Sequence, residues 1–299
     1  MEKNHSIKAS PGFLLCLLIA MMGCFCAGGC IPTAKYERIV YLSEPLPAGS
    51  LFEAQTHNGY INITGADVTK CSLTATIIAR ADTEENAQKL AEEVEVKLIP
   101  SGNKLTARIE KPALLAGKYV SVSLDVTAPN QTNADLTAHN GALKIKNLTG
   151  QLNGTTHNGE VTVEKISGTA KLKTHNGRII CEEVAGNTQL QTHNGSVTCE
   201  EVSGDIQLET HNSSAKAFYS KAAPPACNVS IVTHNGGVEF TAPPNFSAKV
   251  EASTHNGSID TDLPITVTGE ITKRKLTGTI GTGQGNLCLE THNGSVRIK

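Results

Sequence analysis

The chain has 299 residues with no Trp, only Phe 6 and Tyr 5, and Gly 27, so it is poor in rings and rich in turn formers. That length holds one large core or two smaller domains. Lys+Arg 26 against Asp+Glu 28 leaves a net charge of -2, and no Lys/Arg cluster or aromatic stacking platform occurs, which excludes nucleic acid as a partner.

At the N-terminus, Lys3 and Lys8 precede the charge-free run PGFLLCLLIAMMGCFCAGGC, residues 11–30. A positive leader followed by an apolar stretch predicts an export signal over residues 1–29. The small residues Ala27-Gly28-Gly29 before Cys30 resemble the lipobox of bacterial lipoproteins. That resemblance implies lipidation of Cys30, with Cys24, after Met21-Met22-Gly23, as the alternative. An uncleaved membrane anchor also fits a run of this length. Each reading puts the remainder outside the cytoplasm, membrane-anchored in the cell envelope.

Residues 30–50 read as a tether and first strand, and residues 51–129 as a β-rich region of alternating segments such as CSLTATIIAR and KYVSVSLDVTAP. One helix is predicted over residues 83–94. Asp82 or Thr83 caps it, Glu85 stands where a capping box needs it, and Ala87, Leu90, Ala91 and Val94 form one apolar face. Pro129-Asn130 closes this region.

From residue 130 to 299 the chain is periodic. The tetrad Thr-His-Asn-Gly or a close variant returns at His139, His157, His175, His193 and His211, 18 residues apart, then at His234, His255 and His292, with an outlying copy at His57. The last interval, 37 residues, is about two periods, and the glycine-rich LTGTIGTGQGN is predicted to be a rung that has lost its turn. Within a period, Ala170, Leu172 and Thr174, then Ile179, Cys181 and Val184, point one way, while Lys171, Lys173, Arg178 and Glu182 point the other. The next copies repeat this with Thr188, Leu190, Thr192, Val197, Cys199, Val202, Ile206, Leu208 and Thr210. Two strands of about five residues per period follow.

A meander with Asn-Gly hairpins and a solenoid both satisfy that arithmetic. The solenoid is preferred because stacking like residues over like gives the repeated identity a cause. The fold class is therefore all-β: a right-handed parallel β-solenoid with about 18 residues per coil, preceded by a small β-rich region carrying one helix. Stacked Asn side chains, and stacked Thr174, Thr192 and Thr210, are expected to bond along their ladders. The glycines are expected to serve left-handed corners, and the interior to be too thin for rings.

The turn residues are candidates for structure before chemistry. These are His57, Asn58 and Gly59; His157, Asn158 and Gly159; His175, Asn176 and Gly177; His193, Asn194 and Gly195; His255, Asn256 and Gly257; and His292, Asn293 and Gly294. A column of imidazoles one strand spacing apart also raises a transition-metal ladder or a pH-responsive array as alternatives. No metal or cofactor is expected, since tetrahedral sites want three or four ligands and Asn is a poor one. The cysteines of the body, Cys71, Cys181, Cys199, Cys227 and Cys288, contain no CxxC pair. Cys181 and Cys199 lie one period apart and form either a disulfide or two buried thiols. No catalytic residue is assigned, because no nucleophile elbow, H-E-x-x-H, phosphate loop or dinucleotide fingerprint occurs.

The tetrads, as in THNGSVTCEEVSGDIQLETHN from Thr192, resemble the bacterial putative-adhesin family of β-strand-repeat proteins, known mainly as domains of unknown function. Thr192, Asn194, Gly195, Ser196 and Val197 match its motif, as do Thr254, Asn256, Gly257, Ser258 and Ile259, and Thr291, Asn293, Gly294, Ser295 and Val296. Ser213 replaces the glycine and Ala138 the threonine in two copies. The resemblance covers residues 51–299 and implies a non-enzymatic, envelope-tethered β-repeat protein acting as an adhesin-like binding or structural scaffold. Expected partners are the membrane, through the N-terminal lipid, and an envelope protein or cell-wall glycan. A sensory or assembly role in the envelope is the alternative, and a polysaccharide-active enzyme a remote one.

Overall fold

The computed structural model describes residues 34–111 and 119–299, so the export signal, Cys24 and Cys30 lie outside the described residues. Strands alternate between two ladders that face each other across a single core. A coil is one strand in each ladder joined by a His-Asn-Gly turn, as in Thr188–Gln191 followed by Val197–Val202. The next coil repeats this with Ile206–Glu209 and Ala215–Tyr219. Pairing between coils is parallel and in register: Gly150 lies opposite Gly168, Cys181 opposite Cys199, and Thr188 opposite Ile206. Parallel neighbours with partners 18 residues apart rule out the hairpin meander.

The alternation has the expected consequence for packing. Ala170, Leu172, Thr174, Ile179, Cys181, Val184 and their equivalents in the next two coils are all buried between the ladders. The interior does admit rings, contrary to the composition argument. Phe52 and Phe240 are fully buried, and each lies opposite an alanine of a neighbouring coil, Ala134 and Ala217. Large beside small keeps the volume of the thin core constant.

The stack begins at Leu51 rather than at residue 130. Leu51–Thr56 and Ile61–Ala66 form the first coil and pair in register with Asn133–Ala138 and Leu143–Lys146. The chain between these two coils hides the period, because the turn asparagines Asn58 and Asn140 that it separates are 82 residues apart in sequence. Part of it extends one ladder, where Tyr119–Pro129 runs parallel to Ile61–Ala66 and antiparallel to Lys70–Ala81, which in turn pairs with Ala34–Pro45. The hairpin Glu95–Ser101 and Lys104–Glu110 extends the other.

The helix is Glu84–Glu92, shorter than expected, with Thr83 as its cap accepting from the Asn86 amide at 3.2 Å. Glu85 closes no capping box and pairs with Lys89 instead. Ala87, Ala91 and Val94 are fully buried against Ala34–Pro45 and Lys70–Ala81. Arg38 reaches up from the first of these strands and donates to the carbonyls of Ala91 at 2.9 Å and Val94 at 3.0 Å. A cation thus adds charge-assisted donors at the helix C-terminus, where Ala91 also accepts from the Val94 amide.

The other end departs most from expectation. In space the order of coils is Asn228–Thr233, then Gly285–Thr291, then Ala248–Thr254 in one ladder, and Val238–Thr241, Val296–Ile298 and Ile259–Thr261 in the other. The last coil in sequence is therefore interior, paired on both sides, and does not present an open end. Nor is LTGTIGTGQGN a rung. Thr272 accepts from the Lys275 amide at 2.9 Å through its hydroxyl and donates to the Lys275 carbonyl at 2.9 Å through its backbone, so the chain reverses there. Lys275–Ile280 then returns antiparallel to both Thr266–Ile271 and Ala248–Thr254. A chain that has doubled back cannot wind on as a coil, and the 37-residue interval is one coil plus this hairpin.

Leu190, 2% exposed, sits mid-stack. Replacing it with Ala is expected to cost about 2 to 5 kcal/mol, read as a lowered denaturation midpoint in urea with an unchanged slope. An unshifted midpoint would place Leu190 outside the core.

Candidate functional site

The corner carrying the tetrads is the most regular surface of the molecule. In every coil but that of Asn133–Ala138 a buried Thr ends one strand, and its hydroxyl donates to a backbone carbonyl beside it, as Thr174 does to Gly159 at 2.9 Å, Thr192 to Gly177 at 2.9 Å and Thr210 to Gly195 at 2.7 Å. The threonines therefore cap turns and do not bond to one another as a Thr ladder would. The next two amides, of His and Asn, both donate to the His carbonyl one coil below, as His175 and Asn176 do to His157 at 3.2 and 2.9 Å.

The motif glycines are required for a reason other than left-handed geometry. Among the turn glycines, only Gly59 has a positive φ, at 127°. A Cβ on Gly177 would stand 1.7 Å from the carbonyl oxygen of Gly159, and one on Gly195 1.8 Å from that of Gly177. Backbone approaches backbone where any side chain would lie. The left-handed positions sit at the opposite corner instead, at Gly168 and Gly186 and at the non-glycines Lys165, Glu183 and Glu201. The Glu182-Glu183 and Glu200-Glu201 pairs thus belong to that second corner, one member of each being the corner residue itself.

Above the glycines the asparagines form a continuous amide ladder. Asn140 donates to Asn58, Asn158 to Asn140, Asn176 to Asn158, Asn194 to Asn176, Asn212 to Asn194, Asn235 to Asn212, Asn293 to Asn235 and Asn256 to Asn293, at 2.6 to 2.9 Å. Beside it nine imidazoles stack with centroids 4.6 to 5.1 Å apart, from His57 through His234 and His292 to His255. In four turns, those of His139, His211, His234 and His292, Nδ1 lies 2.9 to 3.0 Å from Oδ1 of the adjoining Asn. A carbonyl oxygen only accepts, so Nδ1 carries a proton there and donates it to the Asn.

Beside the ring edges runs a groove of about 400 Å³, lined by His175, His193, His211 and His234 on one side and by outward residues such as Gln191 and Glu209 on the other. The same outer face continues as rows of Asn187, Gln189, Asp205, Gln207 and Asn228 toward the second corner. Among the described residues, no three His, Cys, Asp or Glu side chains converge on a point that would hold a metal ion. The free thiols Cys181 and Cys199 lie side by side inside the core, and burial, with the neighbouring Cys181 thiol, pushes the Cys199 thiol far up. Burial likewise pushes Cys71 up to about 12, so neither thiol has the character of a nucleophile.

The geometry agrees with the family to which the tetrads point, since residues 51–299, from the first coil to the last, match the Toastrack DUF4097 domain. The chain belongs to that family. Among solved structures it is similar to a putative adhesin from Parabacteroides merdae, at 13% identity over 87% of this chain and 96% of that one, with a TM-score of 0.44. A putative adhesin from Bacteroides fragilis is similar at 13% identity over 87% and 97%, TM-score 0.40. A putative lipid binding protein from Parabacteroides distasonis is similar at 10% over 87% and 96%, TM-score 0.29. No curated protein matches the sequence.

Two outcomes follow for the column. Gly177→Ala is expected to destabilise by about 3 kcal/mol through the backbone clash, whereas Gly237→Ala, whose Cβ would meet only Ser295 at 3.4 Å, should melt close to wild type; equal melting of the two would refute the close-approach account. Calorimetric titration with zinc is expected to show no tight stoichiometric site, and several sites in the low micromolar range or tighter would overturn the purely structural role of the rings.

Proposed function

We propose that this is a non-enzymatic, adhesin-like binding scaffold, tethered by a lipid on Cys30 to a membrane of the bacterial envelope and displayed outside the cytoplasm. The export pattern of residues 1–29 and the small residues before Cys30 support the tether. Among the described residues, no helix is long and apolar enough to cross a membrane. The coil is proposed to be right-handed, the hand that parallel strands and their crossovers adopt, with about 18 residues per turn of the chain. The turn tetrads serve as its structural spine.

One observation carries the binding reading. The corner column and the amide-rich face beside it present the same chemical groups again and again, with imidazoles 4.6 to 5.1 Å apart. An array of this kind engages a repetitive partner many times at once, and weak single contacts then add through effective concentration. A cell-wall glycan is such a partner, and a docking envelope protein is the other class the tether allows.

The test uses residues 31–299 as a soluble protein, passed over immobilised cell-wall glycan and over envelope extracts in parallel. Retention on glycan, weakened when Gln191 and Glu209 in the groove are replaced with Ala, is the expected result. Capture of one specific envelope protein with no glycan retention would replace the adhesive reading by a sensory or assembly one.

A further inference from the structure

The out-of-order coil is joined to the rest of the molecule in an unusual way. Lys275–Ile280 and Gly285–Thr291 are consecutive in sequence, yet they lie on opposite sides of Ala248–Thr254. The connection between them, residues 281–284, hops over the start of that central strand. It is clasped there by one buried side chain: Ser247 Oγ accepts from the amides of Thr282 at 3.0 Å and Gln284 at 3.3 Å, and it lies 3.0 Å from the Thr282 hydroxyl. Gly281 and Gly283, with φ of 59° and 73°, supply the left-handed bends of the hop.

What this connection delivers is a wedge. Gly285–Thr291 and Val296–Ile298 fill a slot walled on one side by Asn228–Thr233 and Val238–Thr241 and on the other by Ala248–Thr254 and Ile259–Thr261. Leu287, Leu289, Val296 and Ile298 are at most 1% exposed within it. Thr291 donates to Gly236 at 2.7 Å, Asn293 bridges Asn235 and Asn256, and His292 stacks between His234 and His255. Every one of these contacts is a ladder or core contact, indifferent to which molecule supplies the wedge. Only the clasped hop makes it the same molecule.

We infer that the slot between these two coils is a docking site for residues 285–299 of a second copy of this chain, so that two molecules join by reciprocal exchange of the wedge. An element that leaves its own slot and enters an identical one keeps its full set of contacts, and only the hinge changes conformation. The hinge here is short, glycine-bearing and held by one serine. The exchanged pair joins two scaffolds at their far ends, each completing the other's imidazole and amide columns.

Two experiments on the full chain test this. Glu239 and Arg297 are opposite partners in adjacent coils, so Glu239→Cys and Arg297→Cys chains are mixed, partly unfolded at high concentration, returned to native conditions and oxidised. The expected product is a pair of chains linked between positions 239 and 297, identified by peptide mass mapping. Deleting residues 282–284 leaves a connection whose maximum reach, about 7 Å, is less than the two strand spacings, about 9.6 Å, that it crosses within one molecule. That variant is expected to have twice the monomer mass by light scattering. A shortened variant that stays monomeric overturns the inference. So does a mixture without the 239–297 link between chains when the double variant closes that link within one chain.

Discussion

The closeness of successive turns governs this structure. At the tetrad corner each coil places a carbonyl oxygen where the first side-chain carbon of the next coil would be, under 2 Å from the ideal Cβ position at Gly141, Gly159, Gly177 and Gly195. Strands 4.8 Å apart leave little tolerance at a corner where the chain turns toward its neighbour, and among the described turns only Ser213 carries a side chain at this position. Glycine is thus fixed by contact between coils, and the residues around it follow. Asn finds its twin within hydrogen-bond reach, His finds a ring to stack on, and Thr finds a carbonyl to cap. The repeat in the sequence is the imprint of a repeated collision avoided.

That constraint explains why so much of the architecture is legible in the sequence and where legibility stops. Inward Leu172, Leu190 and Leu208 announce themselves by alternation, and a period of 18 residues announces the stacking. The glycine looks like a turn former because Asn-Gly is a common turn pair, and nothing in a single sequence separates a positive φ from a close approach. The threonines mislead similarly: a column of identical hydroxyls suggests mutual bonding, whereas a turn carbonyl lies nearer. The buried Phe52 and Phe240 become intelligible only once Ala134 and Ala217 are known to face them.

The order of the last two coils is beyond any local reading. Segments 248–261 and 285–298 both carry Thr-His-Asn-Gly-Ser followed by a β-branched residue, so either satisfies the corner above His234. The two differ in the size of their inward side chains. Leu287 and Leu289 lie against Val229 and Ile231, while the competing strand offers Val250 and Ala252 at the same depth. The larger side chains take the inner coil, and the smaller Val250 and Ala252 are just as deeply buried in the outer strand, which Lys275–Ile280 flanks. The reversal at Thr272 then brings the chain back so that the more apolar coil takes the inner place.

The amide ladder also has a direction. Every asparagine donates toward the Asn58 end, so each side-chain dipole points the same way, and hydrogen bonds in such a chain polarise one another. The last links are a carboxamide NH₂ at Asn58 and a carboxamide oxygen at Asn256, neither used within the column. Nine aligned amides make this edge a vector, with a proton-offering tip and a lone-pair-offering tip. The rod is electrically asymmetric along its length even though its coils are near copies of one another.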